Sequence, residues 1–190
     1  MADDTTINHH QTDQSEGVSQ SERLDVAEVL PGLQLRPLPD GATWAFAFLV
    51  IKLVDEEGDT AWAYSTSAAP NREELLGALV VHVDVYRKEL VSRWEESDAQ
   101  DVMDFTGSLG ERRDVAEVLP GLQVHPLPPG HRWSSVLLLV KFQHERGHTG
   151  WARLSAGMSS EPELLGALSV QAELLRRELV EEWDPEEDDN

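Results

Sequence analysis

The sequence predicts an α+β protein built as a tandem duplication. Each unit is a short helix, an edge segment, a β-hairpin and a long amphipathic helix, and the two pack as a pseudo-twofold body. Three observations carry this expectation. The segment Asp25 to Gln34, DVAEVLPGLQ, returns letter for letter as Asp114 to Gln123, 89 positions later. At the same offset, without a gap, Trp44 meets Trp133, Lys52 meets Lys141, Gly58 meets Gly147, Trp62 meets Trp151 and Trp94 meets Trp183, and the LLGAL of Leu75 to Leu79 meets that of Leu164 to Leu168. Within each copy the apolar pattern changes from a period of about two to one of about 3.6, the switch from strand to helix. The chain divides into an acidic tail expected to be disordered (1–21), a first repeat (22–94), a polar linker (95–110), a second repeat (111–183) and an acidic tail (184–190). A repeat of about 70 residues buries too little surface to be stable alone, so the halves are expected to share one core or one continuous sheet.

Each repeat opens at Asp25 or its copy Asp114, whose carboxylate suits a helix N-cap, with Glu28 placed as in a capping box. Pro31-Gly32 ends that helix after about one turn. Leu33 and Leu35, followed by Pro37 and Pro39, read as an extended edge segment, because proline cannot donate to a central ladder. Trp44 to Val54 is the central strand. Its odd positions Ala47, Leu49, Ile51 and Leu53 match Val136, Leu138, Val140 and Phe142, and this face is expected to pack against the long helix. The even face runs Phe48, Val50, Lys52 against Leu137, Leu139, Lys141 and is expected to lie outside the core. The turn DEEGD favours a three-residue loop, which sets Asp55 opposite Asp59 and Trp62 opposite Lys52 on the even face. A two- or four-residue loop would instead turn Trp62 into the core. Asn71 and Ser160, each three residues before Glu74 and Glu163, are capping boxes that start the long helices. Leu75, Leu76, Leu79, Val83, Tyr86, Leu90 and Trp94, and in the second copy Leu164, Leu165, Leu168, Ala172, Leu175, Leu179 and Trp183, form their apolar faces. Gly77 and Gly166 each cost about 1 kcal/mol against alanine there, and a close approach by another element is the expected reason for them.

A formal charge of -21 with a pI near 4.5 repels nucleic-acid backbones and anionic lipid. Direct nucleic-acid or membrane binding is therefore not expected, and a protein partner should present a basic surface. No apolar run reaches the about 18 residues of a membrane helix, and the first residues lack a signal-peptide pattern, so the expected location is cytoplasmic. Cysteine is absent, which removes thiolate nucleophiles and thiolate metal sites.

The element order resembles that of a double-stranded RNA-binding domain. Such domains need lysines where the last helix starts, and Glu73, Glu74, Glu161 and Glu163 stand there instead. The stretch carrying Trp44, Lys52, Gly58, Trp62 and LLGAL, present in both repeats, is similar to small uncharacterised acidic proteins of actinobacteria and actinophages. That resemblance brings no established activity.

His144 and His148 flank the second hairpin turn at the positions of Asp55 and Asp59, and each pair supplies half of a metal site. Two ligands are too few, so no metal and no cofactor are expected. Ser65 to Ser67 lack a nucleophile elbow, and His82 and His125 stand alone, with structural roles expected. No catalytic residue is assigned. The expected function is a non-enzymatic protein–protein interaction module, an adaptor or inhibitor with two equivalent surfaces formed by Trp62, Trp151, Phe48, Lys52, Leu137 and Lys141. The alternatives are an acidic nucleic-acid mimic that blocks a DNA-binding protein and a small enzyme of unknown reaction.

Overall fold

The computed structural model describes residues 23–97, 111–157 and 159–183. The sequence-assigned tails and most of the linker lie outside the described residues. The elements in order are β1 (Leu24–Asp25), α1 (Val26–Val29), β2 (Gln34–Leu35), β3 (Ala42–Val54), β4 (Thr60–Thr66) and α2 (Arg72–Ser97). They are followed by β5 (Arg113–Asp114), α3 (Val115–Val118), β6 (Gln123–Val124), β7 (Arg132–His144), β8 (Thr149–Gly157) and α4 (Glu161–Trp183). The α+β class holds, and no described helix is long and apolar enough to cross a membrane.

The two hairpins join into one antiparallel sheet of order β4-β3-β7-β8. Its central pairing sets Leu49 opposite Leu138, with Phe48 opposite Leu139 and Val50 opposite Leu137. Leu49 and Leu138 are also the residues matched by the sequence offset. On moving outward from them, each residue from Phe46 to Lys52 meets the offset counterpart of its mirror position, until a register shift at each end of this stretch breaks the relation.

The structure corrects the expected faces of the sheet. Odd positions Ala47, Leu49, Ile51 and Leu53, with Val136, Leu138 and Val140, pack against the short helices and their flanking leucines, not against the long helices. The even positions Phe48, Val50, Leu137 and Leu139 pack under α2 and α4, against Leu75, Leu79, Val83, Tyr86, Leu164 and Leu168. Phe48 is 3% exposed and Leu137 fully covered, so neither belongs to an outer surface. The cause is the joining of the hairpins: β3 and β7 become central strands with a layer on each side, and a strand covered on both faces is apolar at both parities. Phe46 to Ile51 and Val136 to Val140 are apolar at every position.

On the even face the long helices lie side by side and run opposite ways. Arg72 at the start of α2 pairs with Glu178, at 2.6 Å, and with Glu182 near the end of α4. Arg93 near the end of α2 pairs with Glu161 at the start of α4. Asn71 caps α2 by accepting the Glu74 amide at 2.8 Å, with the Glu74 carboxylate bonded to Lys141, while at α4 the full capping box forms, Ser160 and Glu163 exchanging bonds between backbone amide and side chain. Gly77 and Gly166 have no close neighbour. A Cβ at either meets nothing within 4 Å, which overturns the expected close approach inside the fold. Trp183 is 70% exposed instead of packed, and the side chain of Trp94 lies outside those described.

The opposite face is closed by the short elements, which cross between the halves. β1 pairs with β6 and β2 with β5. The Val26 amide donates to Leu122 O and the Val115 amide to Leu33 O, both at 3.0 Å. Asp25 and Asp114 cap α1 and α3 by accepting from the amides of Ala27 and Ala116. Trp44 Nε1 donates to Pro120 O and Trp133 Nε1 to Pro31 O, so each strand's tryptophan holds the Pro-Gly turn of the other half. Leu30, Leu33, Leu119 and Leu122 are fully buried beneath this layer.

Candidate functional site

The hairpin loops have three residues. In the first, the Asp55 amide donates to Asp59 O and Gly58 sits at φ 91°. That register fixes Trp62 opposite Lys52 and Trp151 opposite Lys141. Lys52 Nζ lies 6.0 Å from the Trp62 ring centroid and 2.8 Å from Glu163 of α4. Lys141 reaches Glu74 of α2 at 2.7 Å. Each lysine is therefore spoken for by the helix start of the other half. The Lys52 bond, aided by the Ser160 amide, holds the Glu163 carboxyl below the usual carboxylate range.

The six predicted partner-binding residues are not brought together on one face. Phe48 and Leu137 are core, and Lys52 and Lys141 are ion-paired. Trp62 is on β4 and Trp151 on β8, the two edges of the sheet, separated by three strand spacings, or about 14 Å, across it. The corners also differ. Trp151 is half-buried, with the Phe46 ring edge-on at 6.0 Å. Trp62 is 38% exposed beside the more exposed Tyr64, which leans on Phe48 at 6.4 Å.

The hairpin tips use their candidate ligands to shape the turn. Asp55 Oδ1 accepts the Asp59 amide at 2.8 Å, and His144 Nδ1 accepts the Arg146 amide at 3.1 Å. The His144 and His148 rings stack with centroids 4.8 Å apart. Among the described residues no group of three or more His, Asp or Glu gathers in a way that could hold a metal.

One polar cluster escaped the sequence. On β8, Arg153 makes a two-pronged bond to Glu89 of α2, at 2.9 and 3.1 Å, and its guanidinium covers the Tyr86 ring at 4.1 Å. His82, one turn before Tyr86, packs nearby. Burial, reinforced by the Arg153 charge and opposed by Glu89, holds the His82 imidazole below its ordinary pKa, and burial pushes the Tyr86 phenol up. His82 Nδ1 and Arg153 Nη1 are buried without a hydrogen-bond partner among the described residues. At the offset of 89, Gln171, Leu175 and Glu178 correspond to His82, Tyr86 and Glu89, and Tyr64 corresponds to Arg153. The only signal in the sequence was the spacing of His82 and Tyr86 on one helix face, which does not reveal a partner on a distant strand. On the other side of the sheet, an open depression of about 390 Å³ is lined by Leu24, Glu28, Val29, Leu127, His131 and Trp133, among others. Its walls mix apolar side chains with Glu28, His131 and Arg132.

No protein-family model, curated protein or solved structure matches this chain.

Proposed function

We propose that this chain is a tandem duplication folded as a pseudo-twofold body, and that it works as a non-enzymatic interaction module, an adaptor or inhibitor toward a protein with a basic surface. The pairing of Leu49 with Leu138 and the reciprocal Trp44–Pro120 and Trp133–Pro31 bonds support the twofold reading. Two related corners follow from it, each with a tryptophan beside an anchored lysine and differing in exposure and charge. The observation that carries the functional reading is Trp62, a large aromatic left 38% exposed beside Tyr64 on an edge strand. Tryptophan and tyrosine are the residue types that dominate binding energy when a partner covers them. The adjoining tip supplies Asp55, Glu56, Glu57 and Asp59, while the second tip carries His144, Glu145, Arg146 and His148. The first corner is thus the one that attracts a basic partner.

The test is capture from a lysate with the wild-type chain and with Trp62→Ala as bait, followed by titration of the captured partner. The expected outcome is a partner held by the wild type and weakened by at least about 2 kcal/mol in the variant, with folding largely kept. A stability loss of about 3 to 5 kcal/mol, with binding unchanged in the folded fraction, refutes the proposed surface.

A further inference from the structure

The four-stranded sheet ends in two open edges, β4 and β8, and the two are not alike. In the first hairpin the Asp55 amide donates to Asp59 O and the Ser67 amide to Ala47 O, and the ladder between them runs without a shift. Odd positions of β4 therefore bond to β3, and the amides and carbonyls of Thr60, Trp62 and Tyr64 point outward. These groups have no hydrogen-bond partner among the described residues. Thr60, Ala61, Trp62 and Tyr64 are exposed. The next outward carbonyl, Thr66 O, is taken by the Arg23 guanidinium. On β8 the same alternation turns Thr149, Trp151 and Arg153 outward, and Ser155 O accepts from Arg112 at 3.4 Å. Natural edge strands are blunted by a charge, a proline or a bulge. β8 carries Arg153, whereas β4, TAWAYST, carries none of these.

We propose that β4 pairs antiparallel with β4 of a second copy of the chain, joining the two sheets into one. The pairing stands whether or not the Trp62 corner also binds a basic protein. An open row of amides and carbonyls takes a strand, and the register and the charges select this chain's own. The row Thr60, Trp62, Tyr64 is centred on Trp62. A twofold axis normal to the sheet at that point sets Trp62 opposite Trp62 and Thr60 opposite Tyr64, so every outward group of the row finds a partner. The same register brings Thr66, with Arg23 on its carbonyl, level with Gly58 of the second copy, between Glu57 and Asp59. Both ends of the pairing thus set a base against an acidic tip. The two acidic tips stand about 20 Å apart along the strands, well beyond the Debye length of about 8 Å at physiological salt. The other edge lacks this fit. Two β8 strands in the equivalent register would set Arg112 level with Gly147, between Arg146 and His148. A β4 strand against β8 would keep only one of the two favourable ends, and such head-to-tail pairing does not close.

The experiment is sedimentation velocity on the full chain from low micromolar to hundreds of micromolar, with circular dichroism to follow folding. The expected result is a concentration-dependent dimer that grows no further. Thr60 and Thr149 are offset counterparts, each the first residue of its edge strand with its amide turned outward. Proline at either removes that amide alone, so Thr60→Pro and Thr149→Pro tax the monomer alike. Thr60→Pro is expected to raise the dissociation constant at least about tenfold, and Thr149→Pro to leave it unchanged. Arg23→Glu sets acid against the acidic tip and is expected to weaken the dimer similarly, while Arg112→Glu does not. That second pair decides the matter if Thr60→Pro fails to fold. A monomer throughout the range overturns the proposal, as does assembly beyond a dimer. A dimer weakened as much by the β8 changes as by the β4 changes overturns it too.

Discussion

Truncation of either member of the central pair, Leu49→Ala or Leu138→Ala, tests whether the halves form one cooperative body. Both leucines are fully buried and face each other across β3 and β7. Each lies in a layer that includes Val26, Leu30, Leu33, Val115, Leu119 and Leu122, drawn from both halves. Removing three carbons from such a site loses the transfer energy of about 0.8 kcal/mol per carbon and leaves a cavity that rigid sheet neighbours cannot fill. The total is about 3 to 4 kcal/mol for each variant, a large part of the stability of a small domain. Because the cavities open into the same layer, the two losses should agree within about 1 kcal/mol, and the double variant should depart from additivity by at least about 0.5 kcal/mol. The assay is urea unfolding followed by far-ultraviolet circular dichroism and by tryptophan fluorescence, which reports on Trp44 and Trp62 in one half and Trp133 and Trp151 in the other. Both probes should give one coincident transition at a lowered midpoint. A biphasic curve in which Leu49→Ala moves one step and leaves the other in place refutes the shared core.

Gly77→Ala and Gly166→Ala should each stabilise the fold by about 1 kcal/mol, because an added Cβ meets nothing; thermal melts of dilute protein check this, and destabilisation would reveal a neighbour inside the fold. His82→Gln, which installs the residue found at position 171, should change how stability depends on pH. The folded-state pKa of His82 lies below the ordinary 6.5, so the unfolded chain takes the proton first. Its contribution is complete above that pH and is lost as pH falls toward the folded value. Melting curves of variant and wild type should therefore run at a constant separation above about pH 6.5 and converge or cross below it. A separation independent of pH would show that the imidazole titrates alike in both states.

Much of the local structure is legible in the residues. The Asp-x-x-Gly turn with Gly58 at positive φ fixes the loop length, and loop length fixes the partner of Trp62. Asn71 and Ser160 mark where the long helices start, and the Pro-Gly pairs mark where the short ones stop. Pairing between the hairpins is another matter, because no short-range signal encodes which strand edge meets which. The assignment of faces failed for that reason. The even face, apolar at Phe48 and Val50 and basic at Lys52, suits a binding surface as well as a second core layer, and the run of apolar residues on both sides from Phe46 to Ile51 and Val136 to Val140 is what strands flanked by two layers carry. The same gap hid the Arg153 cluster. A strand residue and a helix residue 64 positions apart meet only once the helix is known to cross over the other half of the sheet. Trp62 and Lys52 did come together, whereas the proposed continuous face did not, since it required a sheet with a bare side.

The helix-end ion pairs have a consequence for how the two halves recognise each other. Position 72 is arginine and its counterpart 161 is glutamate, while 93 is arginine and its counterpart 182 is glutamate. Across the chain each contact joins opposite charges. Were a second half to pair with a copy of itself in the same arrangement, Glu161 would confront Glu178 and Glu182; a first half doing so would set Arg72 against Arg93 while keeping an attractive neighbour in Glu89. These charges favour the pairing of unlike halves over that of like ones. Cut at the linker, the chain should behave as a lock and its key, two fragments that reassemble with one another in preference to their own kind.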